Sequence, residues 1–358
     1  MYVLNVANVN EALPRALCYL RDCGEPEQTR NGPALVAPGP VATVYRYPRE
    51  RVLFDAERDA NPFFHLFESL WILAGRRDVA FLSMFNGRIA DYSDDGEVFH
   101  AAYGYRLRNH FGNMDQIDYA CGQLMKNRQS RRAALQIWSA LDDLGSDSKD
   151  LPCNDMVMLR VRDLKESLHD SKQVLDITVC NRSNDAIWGA YGANAVQFSF
   201  LQEYMASKIG VGVGRYTQMS HNLHVYTDNP YWQTWVKNNP FGVYVPDSPY
   251  SVTSPRAAYI SPIGLGGTSA IEAFDRDLAW FFQAFDVGEY RYSEAFLHIL
   301  ERGAVPLLQT WFFKKVVLPM LRLYVSRDQV SDGINVELDW HRAGVEWVAR
   351  RAAKATKE

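Results

Sequence analysis

Three short stretches of this chain hold side chains able to do chemistry on one small molecule. Cys153 lies in Leu151-Pro152-Cys153-Asn154, Arg182 and Ser183 in Asn181-Arg182-Ser183-Asn184-Asp185, and His224 and Tyr226 in His224-Val225-Tyr226. A thiolate is a strong nucleophile toward carbon, but a free pKa near about 8.5 leaves little of it ionised at neutral pH unless a cation is close. Arg182 could supply that cation and grip a phosphate with the same guanidinium. An isolated intracellular cysteine reads first as a small buried hydrophobe. Pro152 before it and Asn154-Asp155 after it instead set Cys153 in a fixed, polar turn at a strand entry. Arg30, Arg131, Arg132 and Arg182, with Ser183 as a further donor, could form an anion site, since a phosphate dianion favours several charge-assisted donors. Taken singly, each arginine reads as a solvated surface charge. Glu68 stands among apolar residues, where burial should raise a carboxylate pKa and fit it for proton transfer.

The elements that must position these groups are readable from periodicity. Phe63, Phe67, Leu70 and Trp71 recur at helical spacing between the start signal Asn61-Pro62 and the stop Gly75, with Glu68 inside. Runs rich in β-branched residues predict strands over 133–138, 156–161 and 174–180; in the last, Leu175, Ile177 and Val179 alternate. Val196, Phe200 and Tyr204, with Leu201 and Met205, predict a long buried helix over 194–209. Further helices are expected over 278–285 and 304–325, and a basic amphipathic helix carrying Trp340, Val345, Trp347 and Val348 near the end. The fold class is α+β, a mixed sheet backed by helices. With no repeat or low-complexity linker, a single domain over 1–358 is expected.

Composition limits the function. A chain of 358 residues, 47% hydrophobic and with a formal charge of −4, is a globular protein without the basic excess of a general nucleic-acid binder. The basic tail around Arg350, Arg351 and Lys354 reads as a solvated helix face rather than a nucleic-acid site. Cys18, Cys23, Cys121, Cys153 and Cys180 are odd in number and lack zinc spacings, so reduced thiols in a cytoplasm and no metal are expected. Neither a signal peptide nor a membrane span is apparent.

Taken in order, these motifs resemble the thymidylate synthase family, which includes the dUMP and dCMP hydroxymethylases. The resemblance covers residues 30–229, leaving 230–358 as a divergent C-terminal extension. It implies a thymidylate synthase-like fold and a homodimer joined through a sheet face, in which Arg131 and Arg132 reach the partner's phosphate. It implies that Cys153 adds to C6 of a pyrimidine nucleoside monophosphate, that Glu68 relays protons, and that Tyr103-Gly104 is the family's Tyr-Gly element. Asn194 resembles the base-reading asparagine, which suits uracil because it offers both a donor and an acceptor. His224 and Tyr226 resemble the sugar-binding pair, Arg30, Arg182 and Ser183 the phosphate grip, and Asp185 and Gly189 the folate loop. The implied one-carbon donor is 5,10-methylenetetrahydrofolate.

The departures from the family pattern bear on which reaction follows. Asn154 replaces the synthases' histidine, Asn181 their glutamine, and Ala90 stands at about the position of their tryptophan, which covers the methylene intermediate. With alanine there, and without the short apolar tail that closes synthases over folate, water could hydrate that methylene. The stretch Gly189 to Asn194 is one residue longer than usual, so Ala193 or Asn194 could read the base; Asn194 is taken. The expected activity is hydroxymethylation of dUMP. Alternatives are a divergent synthase making dTMP, a hydroxymethylase acting on dCMP or CMP, and a catalytically silent binding homologue.

Overall fold

The computed structural model describes residues 1–165, 171–242, 248–250, 268–287, 296–298, 300–304, 307–327 and 333–356. Ten strands are present among them: β1 (Tyr2–Val6), β2 (Glu25–Thr29), β3 (Gly32–Val36), β4 (Val41–Tyr45), β5 (Ala134–Gln136), β6 (Asn154–Lys165), β7 (Ser171–Asn181), β8 (Asn184–Asp185), β9 (Gly212–Ser220) and β10 (Leu223–Tyr226). The α-helices are α1 (Val9–Cys23), α2 (Pro62–Leu73), α3 (Val79–Ser83), α4 (Tyr103–Tyr105), α5 (Gln116–Lys126), α6 (Asn194–Ile209), α7 (Pro230–Asn238), α8 (Thr268–Val287), α9 (Leu318–Ser326) and α10 (Asp339–Ala355).

The main sheet has six strands in the order β1-β4-β9-β7-β6-β5, and it is mixed, with β7 and β9 parallel and β6 and β7 antiparallel. Its inner face presents Val157, Leu159, Ile177, Val179 and Tyr216, all buried, with α6 packed against β7 and β9. A second sheet, β2-β3-β10-β8, was not expected. It forms because the hairpin Glu25 to Val36, too polar to read as paired strands, docks on β10 through β3.

Two long helices meet behind the sheet. In α2 every residue is buried, and its start is fixed by Pro62 and by the Asn61 side chain, which accepts from the N–H groups of Phe63 and Phe64. A helix that is apolar all round belongs inside the core, which is why a lone glutamate there is informative. Helix α6 is buried along nearly its whole length and ends at Gly210, whose φ of 79° is the left-handed cap that glycine adopts freely. The buried apolar residues form one continuous cluster, from Leu4 to Val348.

The structure corrects two boundaries and the surroundings of the tail. The strand expected over 133–138 shrinks to β5, because the N–H groups of Ile137 and Trp138 both converge on the Asp155 carbonyl instead of continuing the ladder. The single helix expected over 304–325 is broken. Asp277 of α8 accepts from the N–H groups of Gln309 and Thr310, capping an irregular stretch before the π turn Phe313–Val317 and α9. Val305 and Pro306 lie outside the described residues. The tail is indeed helical, but it is not a solvated face alone: Trp340, Trp347 and Val348 are buried, and α10 packs against α2.

Candidate active site

Cys153 is half-buried at the entry to β6, and Arg182 holds the loop that carries it. The Arg182 Nε donates to the Pro152 carbonyl at 2.8 Å, its Nη2 to the Leu151 carbonyl at 3.3 Å, and its backbone N–H to the Cys153 carbonyl at 3.0 Å. The guanidinium also rests 5.3 Å from the centre of the Trp138 ring. One arginine thus fixes the loop and brings a cation beside the thiol, with guanidinium N–H groups remaining for an anion. Burial pushes the Cys153 thiol above its ordinary pKa; Arg182 and Arg30 pull it down, while Asp150 and Asp155 push it up. A bound anion must leave those arginines close enough for the thiolate to form.

Two of the departures from the family pattern turn out to be one paired change. Asn154 and Asn181 face each other across β6 and β7, and the Asn154 amide donates to the Asn181 carbonyl oxygen. Asn181 in turn donates to the Met219 carbonyl at 3.1 Å. The Asn154 Oδ1, fully buried, has no partner.

Glu68 points from α2 into the same region. Burial raises its pKa to about 7, with the Gln197 side chain opposing the shift, and its Oε2 has no hydrogen-bond partner. Gln197, one turn past Asn194 on α6, likewise has an unpartnered Oε1. Between Glu68 and Cys153 stands Tyr103. Burial holds its hydroxyl well above the ordinary pKa, and the charges of Cys153, Asp150 and Glu68 all add to the shift. Gly104 explains how Tyr103 comes so near: a side chain there would collide with the Ile72 carbonyl at the end of α2.

The base and folate residues also lie together. Asn194 opens α6 and donates to Asn184 Oδ1 at 3.1 Å, while Asn184 donates to Ser220 Oγ at 3.1 Å. A Cβ on Gly189 would approach Asn184 Oδ1 to 2.8 Å, so glycine is required for this contact. The stretch before α6 is wound as the π turn Ala186–Ala193. Asn194 is the first residue of α6. Asp185 caps that turn through the N–H groups of Ile187 at 3.0 Å and Trp188 at 3.3 Å, and burial raises its pKa. Trp188 is 41% exposed and stacks under Arg58, whose Nε donates to the Ile187 carbonyl. An open indole beside a carboxylate fits a flat heteroaromatic ring carrying N–H donors.

On the sugar side, His224 and Tyr226 project from the same face of β10, their rings 5.1 Å apart. His224 Nδ1 pairs with Asn222 Oδ1 at 2.9 Å, and Asn31 donates to the Tyr226 hydroxyl at 3.2 Å. That last bond ties the hairpin tip bearing Arg30 to β10. Ser183 follows Arg182 in the short link before β8. Arg131 and Arg132 are exposed ahead of β5, and neither is among the charges acting on Cys153. The chain thus gathers Cys153, Glu68, Tyr103, Asn194, Arg182 and Arg30, but not Arg131 and Arg132.

Ala90 lies half-buried in the 3-10 turn Gly87–Tyr92, packed against the core. Sequence reasoning missed Gln197, Arg58 and Asp150. The first was signalled by a polar residue one helical turn after Asn194; the other two carried no local signal. Among the described residues no group of three or more His, Cys, Asp or Glu could hold a metal, and no helix is long and apolar enough to cross a membrane.

The chain is a one-carbon transferase, and its mixed sheet carries a thiol at a strand entry with an arginine fork beside it. The thymidylate synthase family model matches residues 60–239, and the chain belongs to that family. It is 42% identical to the deoxyuridylate hydroxymethyltransferase of Pseudomonas phage M6 over 368 aligned positions, covering 99% of this chain and 95% of that protein. The deoxyuridylate hydroxymethyltransferase of Bacillus phage SP01 is 41% identical over 200 positions, 53% of this chain and 50% of its own length. The enzyme of the same name from Delftia phage PhiW-14 is 30% identical over 235 positions, 63% of this chain and 62% of its own length.

Proposed function

We propose that the protein is a deoxyuridylate hydroxymethyltransferase: dUMP, 5,10-methylenetetrahydrofolate and water give 5-hydroxymethyl-dUMP and tetrahydrofolate. The observation that carries this reading is the convergence of Cys153 and Glu68 on the Tyr103 hydroxyl, with Arg182 holding the thiol's loop. Cys153 adds to C6 of the uracil, which makes C5 nucleophilic. When bound, the folate supplies a one-carbon unit at the formaldehyde level. Glu68, poised near neutrality, moves protons at the base carbonyl and at the departing nitrogen. Asn194 orients the uracil edge, and His224 with Tyr226 holds the sugar hydroxyl. Arg30, Arg182 and Ser183 bind the phosphate, and Asp185 with Gly189 forms the folate wall. Ala90, in place of an indole, leaves room for water at the methylene carbon.

The active unit is a homodimer in this reading. The outer face of the main sheet is uncovered: Met156, Cys180 and Met219 form one cross-strand row, and Met158, Thr178 and Thr217 the next. Met158 is 40% exposed there. A second copy on this face would cover the row and carry Arg131 and Arg132 to the partner's phosphate. The whole chain acts as one unit, and the free state of all five cysteines suits a reducing cytoplasm.

Product analysis tests the proposal. With dUMP, dCMP and CMP supplied in parallel, hydroxymethylated dUMP and tetrahydrofolate are expected. A methylated base with dihydrofolate, or turnover confined to the cytosine nucleotides, would overturn it.

A further inference from the structure

Hydroxymethylation needs something that methyl transfer by hydride does not, a base for the attacking water. Glu68 is engaged elsewhere in the proposed reaction, at the base carbonyl and the folate nitrogen. A second carboxylate stands on the thiol's side of Tyr103. Asp150 ends the loop that enters Pro152 and Cys153, and its charge acts on both the Cys153 thiol and the Tyr103 hydroxyl. One oxygen is anchored: Asp150 Oδ2 accepts from the Ala101 N–H at 2.8 Å, two residues before Tyr103. The other, Oδ1, makes no hydrogen bond among the described residues.

Asp150 has no ion-pair partner among the described residues, although cations are near. His100 and Arg106 both act on it, but both are taken by a neighbour. Asp143 accepts from Arg106 Nη1 at 2.6 Å and Nη2 at 2.8 Å, and from His100 Nε2 at 2.8 Å. Asp94 also faces Asp150 and, with burial, raises its pKa, which makes it a stronger base than an ordinary aspartate. A carboxylate anchored at one oxygen, free at the other and denied a counter-ion is poorly explained as scaffold. Two carboxylates in different surroundings flanking one thiol are suited to two separate proton transfers.

Building on the proposed function, we infer that Asp150 is the general base that activates the hydrating water. The water oxygen bonds to the exocyclic methylene carbon at C5, its proton passes to Asp150 Oδ1, and the π pair moves to O4 as an enolate. The enolate collapses, the C5–C6 double bond forms, and the Cys153 thiolate leaves C6. The Asp150 proton then returns to solvent, so atoms and electrons balance without an oxidant or reductant.

The test uses the full-length protein carrying D150N, which keeps an oxygen for the Ala101 N–H. Four quantities are read: dUMP affinity without folate, tritium release from [5-3H]dUMP, hydroxymethyl-dUMP, and the adduct formed by added 2-mercaptoethanol with the stranded methylene. Unchanged dUMP affinity is expected, with the ratio of hydroxymethyl product to tritium release falling about 10²-fold and the thiol adduct taking its place. An unchanged ratio would overturn the assignment. Should D150N fail to bind dUMP, D150E decides: product keeping pace with tritium release upholds it, and thiol adduct in its place overturns it. Wild-type protein making dTMP would instead sink the proposed function itself.

Discussion

Two carboxylates, one ahead of α2 and one inside it, have opposite surroundings. Asp59, in the loop leading into the helix, meets three cations from α10: Arg350 at 3.0 Å, Lys354 at 3.1 Å, and Arg351. Burial pushes its pKa up, but the hydrogen bonds from Arg351, Arg350 and Lys354 outweigh it and hold the carboxyl below the usual range. Glu68, inside the helix, has no cation, and burial raises it to about 7. Where charge is fully compensated the chain is building structure, here docking the C-terminal helix. At Glu68 Oε2, Gln197 Oε1 and Asn154 Oδ1 polar atoms are buried and left without a partner within the protein, so they are available to a bound molecule. Substitutions in the two regions should therefore separate activity from stability.

The largest effect is expected at the thiol. Cys153→Ala should lower turnover by on the order of 10⁴-fold or more while leaving the melting temperature and dUMP affinity nearly unchanged, as read by steady-state kinetics beside calorimetry. Retained turnover would break the covalent scheme. Next, Glu68→Gln should reduce kcat by about 10²-fold or more yet stabilise the protein at alkaline pH. The sign follows from linkage: an acid whose folded pKa lies above its ordinary value of 4.5 binds more protons in the native state, so stability falls as pH rises from there to about 7. The cost is on the order of 3 kcal/mol, and denaturant unfolding of Glu68→Gln across that window should lack this slope.

A smaller and more selective change is expected from Asn194→Asp, which replaces the amide donor with an acceptor. Activity with dUMP should fall by about tenfold or more while dCMP becomes the better substrate; parallel assays that left the preference for dUMP intact would remove Asn194 from base recognition. The smallest effect falls on the clasp. Asp59 has a φ of 52°, a left-handed conformation that asparagine tolerates, so Asp59→Asn isolates the charge. Its partners are partly exposed, so a loss of about 1 kcal/mol is expected, shrinking at high salt, with kcat unaltered. The wild-type contribution is present above the ordinary aspartate pKa of 3.8 and lost as pH falls through the depressed folded value. A large drop in kcat in this variant would erase the contrast with Glu68.

Much of the site was legible in the sequence because its chemistry depends on rare residues at fixed places. Cys153 stands just before a strand, Arg182 just after one, and Asn194 at a helix start that periodicity reveals. Gly104 and Gly189 had no visible reason until Ile72 and Asn184 were found against them. What stayed hidden depends on contacts between segments far apart in the chain. The Asn154–Asn181 pair looked like two unrelated departures, since only strand register makes them one. Asp150 carried no signal in the sequence, because its surroundings depend on Asp143 engaging both neighbouring cations. The tail's charges read as solvated because Asp59, their common partner, lies nearly the whole chain away. The polar hairpin of β2 and β3 gave no alternation to read, since docking on β10, not burial of one face, makes it a sheet.

The central claim is that water, not hydride, completes the reaction begun at Cys153. Turnover of dUMP with methylenetetrahydrofolate in oxygen-18 water, followed by mass spectrometry of the nucleotide and absorbance of the folate, tests it most directly. The account predicts a hydroxymethyl nucleotide carrying one heavy oxygen beyond any exchanged in a no-enzyme control, with no dihydrofolate signal. A methylated nucleotide without added label, accompanied by dihydrofolate, would contradict it.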